Sequence, residues 1–101
     1  MEQPLSLPKD AELVELWPDS LTFQTRHCLL PGTLLAFNLV MEGQALPLRV
    51  HTAACLVVGR DRQGYVYHSR LSLAEIPEPD RHLIGLFIAK GRGAPRLARL
   101  A

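Results

Sequence analysis

The stretch LPLRVHTAACLVVGRDRQGYVYHSRLSL, residues 46–73, decides the fold. Apolar and polar residues alternate on both sides of the polar segment 60–64, a pattern that predicts two antiparallel strands joined by a short turn. The register is predicted by requiring that the apolar side chains of both strands face one core. That register pairs Leu56 with Tyr67, Val58 with Tyr65, Cys55 with His68, and Ala53 with Arg70.

Three shorter segments ahead of this hairpin are also predicted to be strands, namely 11–17, 21–25 and 33–41. Turn-forming sequences separate them, Pro18-Asp19-Ser20 after the first and Pro31-Gly32 after the second. Strands at intervals of about ten residues are typical of a small antiparallel barrel or sandwich.

A single helix is predicted at the C-terminal side, from the proline-rich segment 76–80 to Lys90. Proline near the first helical position and acids in the first turn are start signals, and Gly91 is a stop signal. Three apolar side chains recur at helical spacing and form the expected buried stripe. These are Leu83, Leu86 and Phe87.

The length of 101 residues corresponds to one domain. Residues 1–10 contain two prolines and no clear period, so we expect a loose lead-in. Residues 11–90 form the predicted folded unit. Residues 91–101 are expected to be a flexible basic tail, because glycine and proline begin it and no acid follows Lys90.

The composition excludes several classes of protein. Apolar residues at 48% and charged residues at 21% indicate a folded globular domain. A formal net charge of +1 argues against a general attraction to nucleic acid. Two cysteines cannot build a disulfide-rich scaffold. No apolar run reaches the roughly 20 residues of a membrane span, and Met-Glu-Gln-Pro is not a signal-peptide start, so a cytoplasmic protein is expected.

Three stretches of the chain resemble the PilZ domain family. ELWPDSLTF (15–23) lies where PilZ domains carry Asp-x-Ser-x-x-Gly followed by an apolar strand. LLPGTLL (29–35) is similar to the Pro-Gly turn of the family. PDRHLI (79–84) is similar to the acidic start of its C-terminal helix. The resemblance covers residues 11–91, most of the chain.

The resemblance implies a mainly β fold, a small antiparallel β-barrel of about five to six strands with one C-terminal α-helix. It also implies a link to cyclic diguanylate signalling in bacteria. PilZ domains often bind this dinucleotide with an Arg-x-x-x-Arg segment and the Asp-x-Ser-x-x-Gly loop. Forked guanidinium donors suit its two phosphates, and a glycine turn lets the backbone come close.

The binding motifs are degenerate in this chain. Glu15 stands at the aspartate position, Trp17 at the serine position and Ser20 at the glycine position, and residues 1–10 contain no arginine. Losing two guanidinium contacts of about 1.5–3 kcal/mol each lowers affinity roughly 100-fold to 10,000-fold. The resemblance therefore implies a non-enzymatic adaptor that acts through protein–protein contact and needs no cofactor. By family analogy, its partner belongs to the type IV pilus or flagellar apparatus.

The expected contact surface includes Trp17, Phe37 and His51. Trp17 has two interpretations, a plug at the mouth of the barrel or an exposed anchor for a partner. The segment 33–41 is apolar on both faces and therefore needs cover on both. The helix, a protein partner or a second copy of the chain in a homodimer could supply that cover.

The alternative function is a receptor for cyclic diguanylate or another nucleotide that uses substitute arginines. The candidate ligand contacts are Arg26, Arg70 and Arg92. A weaker third hypothesis is nucleic-acid binding led by the basic tail.

Catalytic and metal sites are not predicted. Cys55 opposite His68 is the only pair with nucleophile and base character, and no oxyanion-stabilising group accompanies it, so simple packing is expected. The four histidines lack the spacing of a zinc site.

Overall fold

The computed structural model describes residues 2–91 and 93–100. This part of the chain is mainly β with one α-helix, which confirms the predicted fold class at that level. The strands are β1 (Leu5–Ser6), β2 (Glu12–Trp17), β3 (Ser20–Thr25), β4 (Leu34–Met41), β5 (Gln44–Asp61), β6 (Gly64–Ser72) and β7 (Arg96–Ala98). Helix α1 (Glu78–Lys90) follows a short 3-10 turn (Leu73–Glu75).

One long strand, β5, joins the two halves of the sheet. Its first part pairs with β4 up to His51, and its second part pairs with β6 from Thr52 onward. The hydrogen-bonded order is β1-β4-β5-β6-β3-β2, with β7 added to β4. Among the described residues β1 and β2, at the two ends of this order, do not pair, so the sheet is open.

The β5–β6 hairpin forms as predicted, but its predicted register is wrong. The two strands carry register shifts, one between Thr52 and Ala54 and one between Val57 and Gly59. Each extra residue moves the pairing by one position. The observed pairs along the hairpin are Ala54 with Arg70, Cys55 with Ser69, Leu56 with His68, Val57 with Tyr67, and Arg60 with Tyr65.

The core lies on the inner side of the sheet and is closed by α1. Phe23 and Phe37 are its largest side chains, and neither has exposed surface. The segment β4 is buried on both faces by the chain's own elements, including Leu34 and Ala36 on the side away from Phe37. Cover by a second copy is therefore not required for β4. The expectation that Phe37 belongs to a contact surface is wrong, since this side chain is fully buried.

Helix α1 buries only part of the predicted stripe. Phe87 is buried as predicted, together with Ile84, whereas Leu83 and Leu86 are 51% and 45% exposed. The helix packs beside β2, so only one narrow side of it meets the core. Gly91 ends the helix in the left-handed conformation (φ 63°), as its position predicts.

Both terminal segments are more ordered than predicted. In the lead-in, β1 pairs in parallel with β4, and Leu7 is 3% exposed in the core. In the tail, β7 pairs with β4 through Leu97 opposite Leu39. The expected loose lead-in and fully flexible tail are corrected accordingly. Strands of two and three residues are too short to produce a readable period.

A candidate protein-interaction face

Three aligned rows of side chains form the exterior of β2, β3, β6 and β5, which we call the outer face. Directly opposite residues of antiparallel strands point to the same side of a sheet. The rows follow from the observed registers. They are Trp17–Ser20–Ser72, Glu15–Thr22–Arg70–Ala54, and Glu12–Gln24–His68–Leu56.

Trp17 lies at one corner of the outer face and is 56% exposed. Its indole Nε1 donates a hydrogen bond of 3.1 Å to Oε2 of Glu15, two residues earlier on the same side of the strand. This bond fixes the ring beside the β2–β3 turn. Trp17 is therefore an exposed side chain and does not plug an opening in the core.

Ser20 pairs with Trp17 on one side and with Ser72 on the other. It begins a strand with ordinary extended backbone, since Glu42 is the only non-glycine residue with a positive φ in the described chain. Ser20, which stands at the glycine position of the motif, therefore carries its Cβ without backbone strain. The adjacent turn is held by a bond of 2.9 Å from the Leu73 amide to the Asp19 carbonyl.

Arg70 lies at the centre of the outer face, between Thr22 and Ala54. It is exposed, and it makes no ion pair with any carboxylate of residues 2–91 and 93–100. Two carboxylates, Glu12 and Glu15, line the β2 edge of the same face. The outer face thus offers one guanidinium and two acids, an unfavourable set for a ligand with two phosphates.

The opposite corner of the outer face is apolar. Leu56, predicted to be in the core, is 64% exposed here. The register shift between Thr52 and Ala54 turns Leu56 outward. Gly59, at the second register shift, is the one residue in the sequence that indicates an irregular strand, because a glycine inside a strand often marks a bulge.

Arg26, also proposed as a ligand contact, does not join Arg70. Arg26 forms a bidentate ion pair with Asp61, with Nη1 at 2.7 Å from Oδ1. This hydrogen-bonded pair raises the pKa of Arg26 and lowers the pKa of Asp61. Arg26 is therefore occupied at the turn between β5 and β6. Arg92 lies outside the described residues.

His51 lies away from the outer face, between two carboxylates. Its Nδ1 is 2.8 Å from Oε2 of Glu75, and its Nε2 is 2.9 Å from Oε1 of Glu2. The backbone amide of His51 also donates to Glu75 at 2.7 Å. These contacts attach the lead-in and the turn before α1 to β5. They give His51 a structural role, and both of its ring nitrogens are engaged within the chain rather than available to a partner.

The two carboxylates raise the pKa of His51, first through the hydrogen bond with Glu2 and then through Glu75. Only the doubly protonated ring can donate from both nitrogens. Partial burial acts to raise the pKa of Glu75, but the hydrogen bonds from His51 outweigh it, and the net change is a lowering.

The predicted pair of Cys55 and His68 does not exist. His68 faces outward, with Nε2 3.1 Å from Oε1 of Gln24. Cys55 faces the other side of the sheet, opposite Ser69, and its sulfur is 3.9 Å from that of Cys28. Sequence reasoning missed this thiol pair, because the contact depends on the register shift in β5.

Comparisons with known proteins add no assignment. No family model matches the chain, and neither a curated protein nor a solved structure matches it. In residues 2–91 and 93–100, no helix is long and apolar enough to cross a membrane. Within those same ranges, no three His, Cys, Asp or Glu side chains are grouped to hold a metal ion.

The cluster of His51 with Glu2 and Glu75 predicts a pH-dependent stability. A raised folded-state pKa adds stability that is present below the ordinary His value of 6.5 and is lost as the pH rises through the folded value. Wild type should therefore melt at a higher temperature than His51→Gln, and this difference should be larger at about pH 5.5 than at about pH 8.5. Thermal unfolding at both pH values measures this difference.

His82→Gln is the matched control, since His82 is exposed on α1 and has no carboxylate partner in the described chain. The same difference in melting temperature between wild type and His51→Gln at both pH values would contradict the assigned role of His51.

Proposed function

We propose that this chain is a non-enzymatic, PilZ-like regulatory adaptor that binds a protein partner through its outer face. The observation that carries the proposal is the exposed Trp17, held in one orientation by Glu15 on a face that also presents Arg70. Tryptophan and arginine are the residues most enriched among interface hot spots. An indole fixed in place loses little conformational freedom on binding.

The chemistry of the outer face defines what the partner must supply. Trp17 calls for an apolar pocket. Arg70, which has no acidic neighbour within ion-pair distance among the described residues, calls for a carboxylate. Leu56, at the far corner, extends the apolar area. A partner surface with a pocket, an acid and a small apolar rim is complementary to this arrangement.

The fold of the described residues supports a PilZ-like assignment. The chain runs through a mostly antiparallel sheet, and a helix near its C-terminal side caps one side of the core. The β2 edge of the open sheet lies close to β7, as in a barrel that is nearly closed. From the resemblance, the proposed partner is a component of the type IV pilus or flagellar apparatus.

The charge pattern supports an adaptor over a dinucleotide receptor. The positions that resemble the binding motif, Glu15, Trp17 and Ser20, lie together on the outer face. They bring a carboxylate and a large ring where a phosphate ligand needs donors. Arg26, the nearest substitute in the sequence, is neutralised by Asp61.

A capture experiment tests the proposed contact. Tagged wild type, Trp17→Ala and Arg70→Ala are used to retain proteins from an extract of the native cells. Each substitution on the outer face should reduce retention of the same partner roughly 30-fold, because a hot-spot truncation costs about 2 kcal/mol or more. Quantitative mass spectrometry of the retained proteins gives the reduction.

The control variant is Leu30→Ala, since Leu30 is 73% exposed but lies outside the outer face. It should retain the partner as well as wild type does. Equal retention by wild type, Trp17→Ala and Arg70→Ala would contradict the proposal.

Calorimetric titration with cyclic diguanylate tests the alternative. The proposal expects no saturable heat up to about 100 μM ligand, because too few cationic groups face one site. Micromolar or tighter binding would overturn the ranking of the two functions. Loss of such binding in Arg70→Ala would then assign that arginine as the substitute contact.

A further inference from the structure

The only two cysteines of the chain, Cys28 and Cys55, lie side by side in the fold. Their Sγ atoms are 3.9 Å apart, although 27 positions separate them in the sequence. Cys28 is exposed in the segment between β3 and β4, and Cys55 is half-buried in β5. Solvent can reach the pair from the side of Cys28.

Two sets of hydrogen bonds anchor the segment that carries Cys28, one to β5 and the other to Asp10, just before β2. On the C-terminal side, Thr52 Oγ1 donates to the Leu30 carbonyl at 2.7 Å, and the Thr33 amide donates to Thr52 Oγ1 at 3.0 Å. On the N-terminal side, Thr25 Oγ1 donates to Asp10 at 2.6 Å. Cys28 lies between these two anchors.

The register shift in β5 determines which way Cys55 points. Without it, Cys55 would lie opposite His68, which is on the outer face. With it, Cys55 lies opposite the buried Ser69, on the side of the sheet that Cys28 approaches. The bulge and the anchored segment are independent features, and both bring the thiols together.

We propose that Cys28 and Cys55 are a reversible dithiol–disulfide pair that a low-molecular-weight disulfide oxidises. The Cys28 thiolate attacks one sulfur of that disulfide and releases its first thiolate. The Cys55 thiolate then attacks the Cys28 sulfur of the mixed disulfide and releases the second thiolate. The two protons lost by the cysteines end on the two small thiols, so the protein is oxidised and the external disulfide is reduced.

Forming the bond requires a small local movement. The sulfur atoms must approach from 3.9 Å to about 2.05 Å, and the exposed Cys28 lies outside any regular element. A rotation of its side chain with a slight shift of the loop supplies this movement. The bond would join the β3–β4 segment covalently to β5, and this inference does not depend on the proposed protein contact.

The hydrogen bond with Cys55 is the main cause that raises the pKa of Cys28. Since the thiolate is the attacking species, oxidation should quicken as the pH is raised.

The test treats the full folded chain with oxidised glutathione, in the absence of denaturant, and follows it by alkylation and intact mass. The expected product is a monomer that has lost two hydrogen atoms, has no alkylatable thiol and gives a cross-linked peptide containing residues 28 and 55. Dithiothreitol should restore both thiols. Cys28→Ser and Cys55→Ser should stop at the mixed disulfide.

A matched control keeps two thiols but misplaces one. Cys28→Ser combined with His27→Cys moves the thiol to the neighbouring residue, whose side chain points instead toward Asp10. Its internal disulfide should form at least about ten times more slowly than that of wild type. Oxidised wild type should also melt roughly 10 °C higher than the reduced form.

The proposal is overturned if folded wild type keeps two alkylatable thiols, or ends as a stable mixed disulfide or a disulfide-linked dimer. Equal rates for wild type and the displaced-thiol variant would also overturn it, because the native geometry would then confer no advantage.

Discussion

The rest of the structure depends on the crossing of β5 from one ladder to the other. One continuous strand pairs with β4 up to His51 and with β6 from Thr52. The crossing is secured at Thr52, whose backbone carbonyl accepts from the Gly32 amide at 2.7 Å and whose amide donates to the Thr33 carbonyl at 2.8 Å. These bonds satisfy backbone groups where the ladder changes partner, so the bend leaves few polar groups unpaired.

The register shift just after this crossing connects the two proposals physically. It turns Leu56 outward, beside His68. It turns Cys55 to the opposite side of the sheet, where its Sγ lies 3.9 Å from that of Cys28. It also places Ala54 opposite Arg70, which the β3–β6 ladder pairs with Thr22. A single extra residue in one strand therefore sets both the β5 edge of the outer face and the thiol pair.

Periodicity alone predicts most of the elements, because a strand or helix must bury one side along its whole length. The hairpin strands predicted at 46–59 and 65–73 are observed at Gln44–Asp61 and Gly64–Ser72. Register is different, because a bulge is a backbone irregularity with a weak side-chain signature. Periodicity also failed for Phe37, since a strand that is apolar on both sides does not reveal which side is enclosed.

The motif positions Glu15, Trp17 and Ser20 were identified from a resemblance, and the fold places all three on one face. Whether Trp17 was exposed could not be decided from sequence, since a lone tryptophan suits a core as well as an interface. The local bond to Glu15, two residues away, is visible only in three dimensions.

Cross-strand nuclear Overhauser contacts in the full chain test the central claim, that the bulged register of β5 sets the β5 edge of the outer face and the thiol pair. The account predicts contacts from Arg70 to Ala54 on one side and to Thr22 on the other. Contacts from Arg70 to Ala53, together with contacts between Cys55 and His68, would contradict it, because the regular register would put Ala53 and Cys55 on the outer face and separate the thiol pair.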